Sequence, residues 1–188
     1  HLLHMHPFSA AELGLTKPKE LDSLLRLSGF PEPYLGGSEK AARRWSREYR
    51  NLLVRDEVRS LERVDDLGRL ELLMIRLPDL VGSPLSANAL REDLEVSHKT
   101  LVRWLAILER LYAIFRVHPF GTPRMRAVKK MPKHYHFDWS LVAAPGARFE
   151  NLVGAHLLKW VHWQQDTEGR DLDLRYFRDR DGLEVDFV

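Results

Sequence analysis

The sequence contains no cysteine, and this absence removes two classes of site. Disulfide bonds and metal centres held by thiolates are both excluded, and a chain without cysteine suits a reducing compartment. We therefore expect a cytoplasmic protein. No apolar run approaches the roughly 18 residues that a membrane-spanning helix requires, so we expect no membrane partner.

A phosphate-binding loop is also missing. The Gly36-Gly37 pair is not followed by Lys-Ser or Lys-Thr, and the pattern G-x-x-x-x-G-K occurs nowhere in the chain. We therefore expect no cofactor in this chain, and neither binding nor hydrolysis of ATP.

The chain also lacks a large net charge, because 29 Lys and Arg are nearly balanced by 27 Asp and Glu. The charges are nevertheless unevenly distributed. Residues 1–82 are balanced, residues 83–134 carry ten basic and four acidic side chains, and residues 135–188 carry six basic and ten acidic ones. A basic middle beside an acidic end predicts a polyanion-binding module next to a different unit.

Hydrophobic residues make up 44% of the chain, enough for a sizeable core. In residues 1–82 they recur at helical spacing, which predicts a helical bundle. The alternating histidines His1, His4 and His6 could be metal ligands, but a surface feature is the favoured interpretation because no carboxylate partner is evident nearby in the sequence.

The strongest local pattern lies in residues 83–140. A helix of about residues 86–94 is followed by the turn "EVS", and Ser97 caps a second helix of about residues 98–112. The stretches "AIFRVHPF" and "KHYHFDW" read as strands on either side of the basic loop "GTPRMRAVKKMP". This order predicts a winged helix-turn-helix.

Such a module would contact DNA through the second helix and through the wing. Lys99 and Arg103 lie near the start of the second helix, where a reading helix meets base edges. Winged helices also serve as protein-docking units, so both interpretations stay open. The basic residues predicted to contact nucleic acid are Lys99, Arg103, Arg110, Arg124, Arg126, Lys129 and Lys130.

Residues 141–188 predict a helix followed by a β-hairpin. The apolar stripe of the helix is expected to contain Phe149, Val153, Leu157, Trp160 and Val161. In "GLEVDFV" the apolar residues alternate with acids, so Val185 and Phe187 are expected to face a core and the acids to face away from it.

Several stretches together resemble one family, the bacterial and archaeal AAA-type ATPases whose C-terminal half is a domain of uncharacterised function. They occur in the order of that family and are "LHMHPFSAAEL", "SGFPEPYL", "EYRNLLVRDEV", "VSHKTLVRWLAILERLYAI", "MPKHYHFDWSL", "FENLVGAHLL" and "RYFRDRDGLEVDFV". The resemblance implies a preceding ATPase domain that binds ATP and Mg²⁺. We therefore expect this chain to be the C-terminal part of a longer ATPase, with that domain as a partner.

The resemblance also implies a restriction-endonuclease-like core at the C-terminal end. Glu150 would match the helix acid and Asp186 the strand acid of such a core, and together they would hold a divalent metal that activates water. The Glu-x-Lys strand of that core would follow Val188, so we expect neither tight metal binding nor DNA cleavage from this chain.

These observations predict an α+β fold with a mainly helical bundle (1–82), a winged helix-turn-helix (83–140) and a partial nuclease-like module (141–188). The predicted function is the nucleic-acid-binding and regulatory part of an AAA-type ATPase. The alternative is a protein-interaction or homo-oligomerisation module with an inactive nuclease-like scaffold.

Overall fold

The computed structural model describes residues 3–54, 66–121, 131–179 and 181–188 of the chain. The fold is α+β, as predicted, and is mostly helical. The α-helices in this described part are α1 (Pro18–Leu27), α2 (Pro31–Gly36), α3 (Glu39–Leu52), α4 (Leu67–Arg76), α5 (Ala87–Asp93), α6 (His98–Arg110) and α7 (Pro145–Glu168). Two short 3-10 helices, Leu77–Leu80 and Trp139–Leu141, connect them to their neighbours.

Four short strands form one mixed sheet. The strands are β1 (Ile114–Pro119), β2 (Lys133–His136), β3 (Arg175–Arg178) and β4 (Glu184–Val185), and their order in the sheet is β2-β1-β3-β4. β1 pairs antiparallel with β2 and parallel with β3, while β3 and β4 pair antiparallel. The predicted C-terminal hairpin of β3 and β4 is therefore confirmed. It extends the pair of β1 and β2 into one sheet, because β3 pairs with β1.

The first of two hydrophobic clusters is built from the helices before β1. α4 and α6 contribute most of it through apolar residues at helical spacing, as the sequence predicted. Its fully or almost fully buried members include Leu70, Leu73, Leu77, Leu101, Trp104, Leu105, Leu108 and Ile114.

The second cluster joins the N-terminal helices to the sheet and to α7. Leu24 of α1, Phe115 of β1, Tyr135 of β2 and Trp139 are all buried in it. The indole N–H of Trp139 donates to the Leu24 carbonyl at 3.0 Å. Residues far apart in the sequence therefore share one core, and each cluster draws on more than one of the three predicted regions.

The burial of α7 follows the prediction only in part. Val161 is buried as predicted, whereas Phe149 and Trp160 are about half exposed. The buried face of α7 also carries small and polar residues such as Asn151 and Gly154. A Cβ at Gly154 would lie 2.8 Å from the Phe187 ring, so the absence of a side chain allows this close packing. Small residues let α7 approach the sheet, which a stripe of large residues would not allow.

The described residues contain no helix that combines the length and the apolarity needed to cross a membrane.

Candidate functional site

Two arrangements of polar side chains stand out, and the first is the helix–turn–helix of α5 and α6. Ser97 begins α6, and its hydroxyl accepts the backbone N–H of Thr100 at 3.0 Å, which confirms the predicted cap. Glu95 lies in the turn with φ at +52°, a left-handed conformation that reverses the chain between the two helices. The predicted pair of helices is therefore present with its tight turn.

The basic residues of α6 lie on its exposed side, opposite the buried stripe. Lys99, Arg103 and Arg110 are all exposed. Arg103 and Arg110 have interaction partners within the chain. Lys99 makes no salt bridge with any residue that the structure describes, so its ammonium group faces solvent near the beginning of α6.

The strands after α6 also follow the predicted order. β1 and β2 form an antiparallel pair with Phe115 opposite Tyr135, and an isolated bridge joins Pro84 to Lys133 at the edge of β2. The four basic residues that were predicted to lie in a wing between these strands are outside the described residues: Arg124, Arg126, Lys129 and Lys130.

The second arrangement is centred on Lys133, the first residue of β2. Its side chain is only 1% exposed, and its ammonium group donates a hydrogen bond to Glu184 and another, of 2.7 Å, to Asp186. The Glu150 carboxylate lies 3.9 Å from the same nitrogen. We refer to Glu150, Glu184 and Asp186 as the carboxylate cluster.

Strand β2 also positions Glu150 through its next residue on the same face. The Tyr135 hydroxyl donates to Oε1 of Glu150 at 2.7 Å. Behind the carboxylate lies Gly82, where an added Cβ would be 2.9 Å from both oxygens. Gly82 also has φ at +78°, so both its conformation and the space around it favour glycine.

The electrostatics of this site follow from burial and opposite charge. Burial lowers the pKa of Lys133, but hydrogen bonds and attraction from Asp186 and Glu184 outweigh burial and raise the pKa above its ordinary value. Burial, together with the hydrogen bond to Glu150, raises the pKa of the Tyr135 hydroxyl. At neutral pH the site therefore contains a charged ammonium and a neutral phenol.

Glu150 and Asp186, the two acids predicted to hold a metal, come together on one side of the sheet. Their carboxylates lie 3.9 Å and 2.7 Å from the ammonium nitrogen of Lys133. Carboxylate oxygens suit hard cations. In the described residues, however, no three His, Asp or Glu side chains are arranged as a metal site. The carboxylate cluster instead surrounds a cation that the protein itself supplies.

Lys133 was not predicted as a site residue. The sequence suggested a lysine on a strand after Val188, whereas Lys133 comes from β2, at the other end of the strand order from β4. The sheet curls so that side chains of these two strands touch. The one available signal was a lysine that begins an otherwise aromatic and histidine-rich strand, which does not reveal its distant partners.

A family model described as a domain of unknown function (DUF8612) matches residues 18–150, well over half of the chain. The matched region includes α1 to α6, β1 and β2, and it ends at Glu150. Neither a curated protein nor a solved structure matches the chain.

Proposed function

We propose that this chain, which belongs to the DUF8612 family of domains of unknown function, is a DNA-binding module in which α6 contacts DNA. The observation that carries this proposal is the exposure of Lys99, Arg103 and Arg110 on the side of α6 that faces away from the core. Basic side chains on the exposed face of the second helix of a helix–turn–helix suit contacts with phosphates and base edges.

The order of the elements supports the same proposal. A helix (α4), a short bridging segment at Pro84, two helices (α5 and α6) and an antiparallel pair of strands follow one another as in a winged helix-turn-helix. Residues 83–134 also hold an excess of six positive charges, or five without the buried Lys133, which would attract a polyanion.

We further propose that this DNA-binding module acts as the regulatory part of an AAA-type ATPase, with the ATPase domain as its partner. The support for this partner is the ordered resemblance of the sequence stretches described above. ATP and Mg²⁺ would then bind to the ATPase domain, because the chain has no phosphate-binding loop of its own.

The carboxylate cluster favours a second candidate, an inactive nuclease-like scaffold used for protein interaction. The buried ammonium of Lys133 already neutralises the acids that a divalent metal would need. A metal entering this site would have to compete with the hydrogen bonds that Lys133 donates. On this view Glu150 and Asp186 stabilise the fold and do not take part in hydrolysis.

Fluorescence anisotropy with labelled duplex DNA across a salt series tests the DNA proposal. If about four phosphates are neutralised, the slope of log K against log salt should be near −4, from about −0.9 per contact. The variant Lys99→Ala/Arg103→Ala should weaken binding by about 1–3 kcal/mol if either side chain reads a base.

The matched control is Lys19→Ala/Arg170→Ala, which removes the same charge from exposed positions away from α6. This control should bind DNA almost as tightly as the unmodified chain. Absence of binding at low salt, or equal losses in the two double variants, would remove the proposal and favour the interaction scaffold.

A further inference from the structure

A second group of titratable side chains lies where the N-terminal segment crosses the last turns of α7. The Nε2 atom of His6 and the Nδ1 atom of His162 share a hydrogen bond of 2.8 Å. The His4 ring packs against the His162 ring with their centroids 4.1 Å apart. We refer to His4, His6, His162 and Asp166 as the histidine clasp.

Asp166 completes the clasp from one turn further along α7. Its carboxylate accepts the backbone N–H of His4 at 2.8 Å and lies 2.9 Å from Nδ1 of the same residue. The clasp therefore joins an extended segment, with histidines two residues apart, to a helix whose His162 and Asp166 are four residues apart. Both spacings place the paired side chains on one face.

The segment is anchored separately from Pro7 onward. Lys159 donates to the Pro7 carbonyl at 3.0 Å, and the Phe8 N–H donates to the Gly29 carbonyl at 2.7 Å. Ala10 is bound in turn, since its N–H donates to Nε2 of His156 at 3.0 Å. Among the described residues, the clasp therefore acts on residues 3–6, which precede these anchors.

From this geometry we propose that the histidine clasp is an acid-sensitive latch, which holds residues 3–6 on α7 while the imidazoles of His6 and His162 are neutral and releases them about Pro7 when both are protonated. The hydrogen bond between His6 and His162 needs one ring nitrogen to donate and the other to accept. A doubly protonated pair has no acceptor and puts two positive charges in contact.

The charges around the clasp favour release in acid. Lys159 adds another positive charge near His6, while Asp166, and further away Asp173, are the negative groups that face the rings. Protonation of both His6 and His162 would therefore place two further positive charges beside Lys159, with Asp166 as the nearest negative group. Burial and the neighbouring positive groups lower the pKa of His6 to about 4, and burial likewise lowers the pKa of His162.

Release of the latch would change access to a cleft. His4 and His162 form part of the wall of a cavity of about 500 Å³ that also reaches Arg110, Tyr112 and Arg116. Arg110 is the last residue of α6. Movement of residues 3–6 would therefore open the side of this cavity that is nearest to the N-terminal segment.

Amide hydrogen exchange of the whole chain, followed by NMR between pH 7.5 and 4.5 in the presence of EDTA, tests the proposal. The exchange protection of the His4 amide, corrected for the intrinsic rate, should fall below pH 6.5 by up to about tenfold per pH unit for each of the two imidazoles that become protonated. The Val161 amide, inside α7, should keep a higher protection than the His4 amide at every pH, because the latch opens while the helix stays folded.

The variant His6→Gln should reduce the pH dependence of the His4 amide protection to that of one imidazole. The control His98→Gln, an exposed histidine at the start of α6, should leave the slope unchanged. The carbon-bound imidazole protons of unmodified His6 and His162 give an independent reading, and both rings should titrate below pH 6.5. Constant protection of the His4 amide, titration of both rings near pH 6.5, or a full slope in His6→Gln/His162→Gln would each overturn the proposal.

Discussion

Strand β2 buries polar side chains on both of its faces, in two different ways. On one face, Lys133 carries a charge and is neutralised by the carboxylate cluster. On the other face, His134 and His136 are buried, and no acid among the described residues influences either ring. Nε2 of His134 donates to the Leu77 carbonyl at 2.8 Å. A buried group keeps its charge where an opposite charge is in contact and loses it where none is.

This difference gives the two faces opposite responses to pH. The pKa of Lys133 is raised, so its contribution to stability is complete below about pH 10.5 and is lost as the pH rises through its pKa in the folded protein. Burial lowers the pKa of His134 to about 4 and that of His136 to about 3. Their contribution is complete above about pH 6.5 and is lost as the pH falls toward those values.

The largest expected effect is therefore a loss of stability in acid, caused by His134 and His136. Between pH 7 and pH 5, His134 and His136 together should lower the free energy of unfolding by about 4 kcal/mol, because each binds nearly a full proton only in the unfolded chain. Urea denaturation of the variant His6→Gln/His162→Gln at the two pH values measures this loss, because that variant lacks the clasp imidazoles whose pKa values burial also lowers.

The comparison would fail if the imidazoles of His134 and His136 titrated near pH 6.5 in the folded protein. An NMR titration of their carbon-bound ring protons gives this result directly, without any variant.

On the charged face, replacement of Lys133 is the sharpest test. Lys133→Met should lower the free energy of unfolding by about 3 kcal/mol, since it leaves neighbouring carboxylates without their cation. The control is Lys159→Met, which breaks the pair with Glu12 and the hydrogen bond to the Pro7 carbonyl. Both contacts are more exposed than those of Lys133, so their loss should cost about 1–2 kcal/mol.

Chemical denaturation of both variants at pH 7 compares the two losses. The double variant Lys133→Met/Glu184→Gln should recover part of the loss, because one uncompensated charge is removed. Equal losses in Lys133→Met and Lys159→Met would show that the buried ammonium has no special role.

The parts of the fold that depend on local sequence could be predicted. Ser97 caps α6 through an atom three residues away, and the stripe of Leu70, Leu73 and Leu77 needs only helical spacing to be recognised. The hairpin of β3 and β4 follows from alternation and a turn. These features are encoded within a few residues, so a single sequence is enough.

Features that depend on distant partners could not be predicted. Lys133 was counted among the ten basic residues of 83–134, because nothing beside it in the sequence indicates that it is buried or that the acids after residue 180 reach it. Val185 was expected to be buried with Phe187, yet Val185 is 51% exposed, whereas the Phe187 ring packs against Gly154 of α7. The three-dimensional path of the sheet decides both outcomes.

The smallest expected effect is the difference in strength between two hydrogen bonds on the same sheet, one to a charged acceptor and one to a neutral acceptor. The Tyr135 hydroxyl donates to the carboxylate of Glu150 at 2.7 Å, whereas the Tyr176 hydroxyl donates to the neutral carbonyl of Met131 at 2.9 Å. A hydrogen bond to a charged group contributes more than one to a neutral group, so Tyr135→Phe should cost about 1.5 kcal/mol and Tyr176→Phe about 1 kcal/mol. Urea denaturation at pH 7 compares them, and a larger loss in Tyr176→Phe would contradict the role of the carboxylate cluster as an organised acceptor for β2.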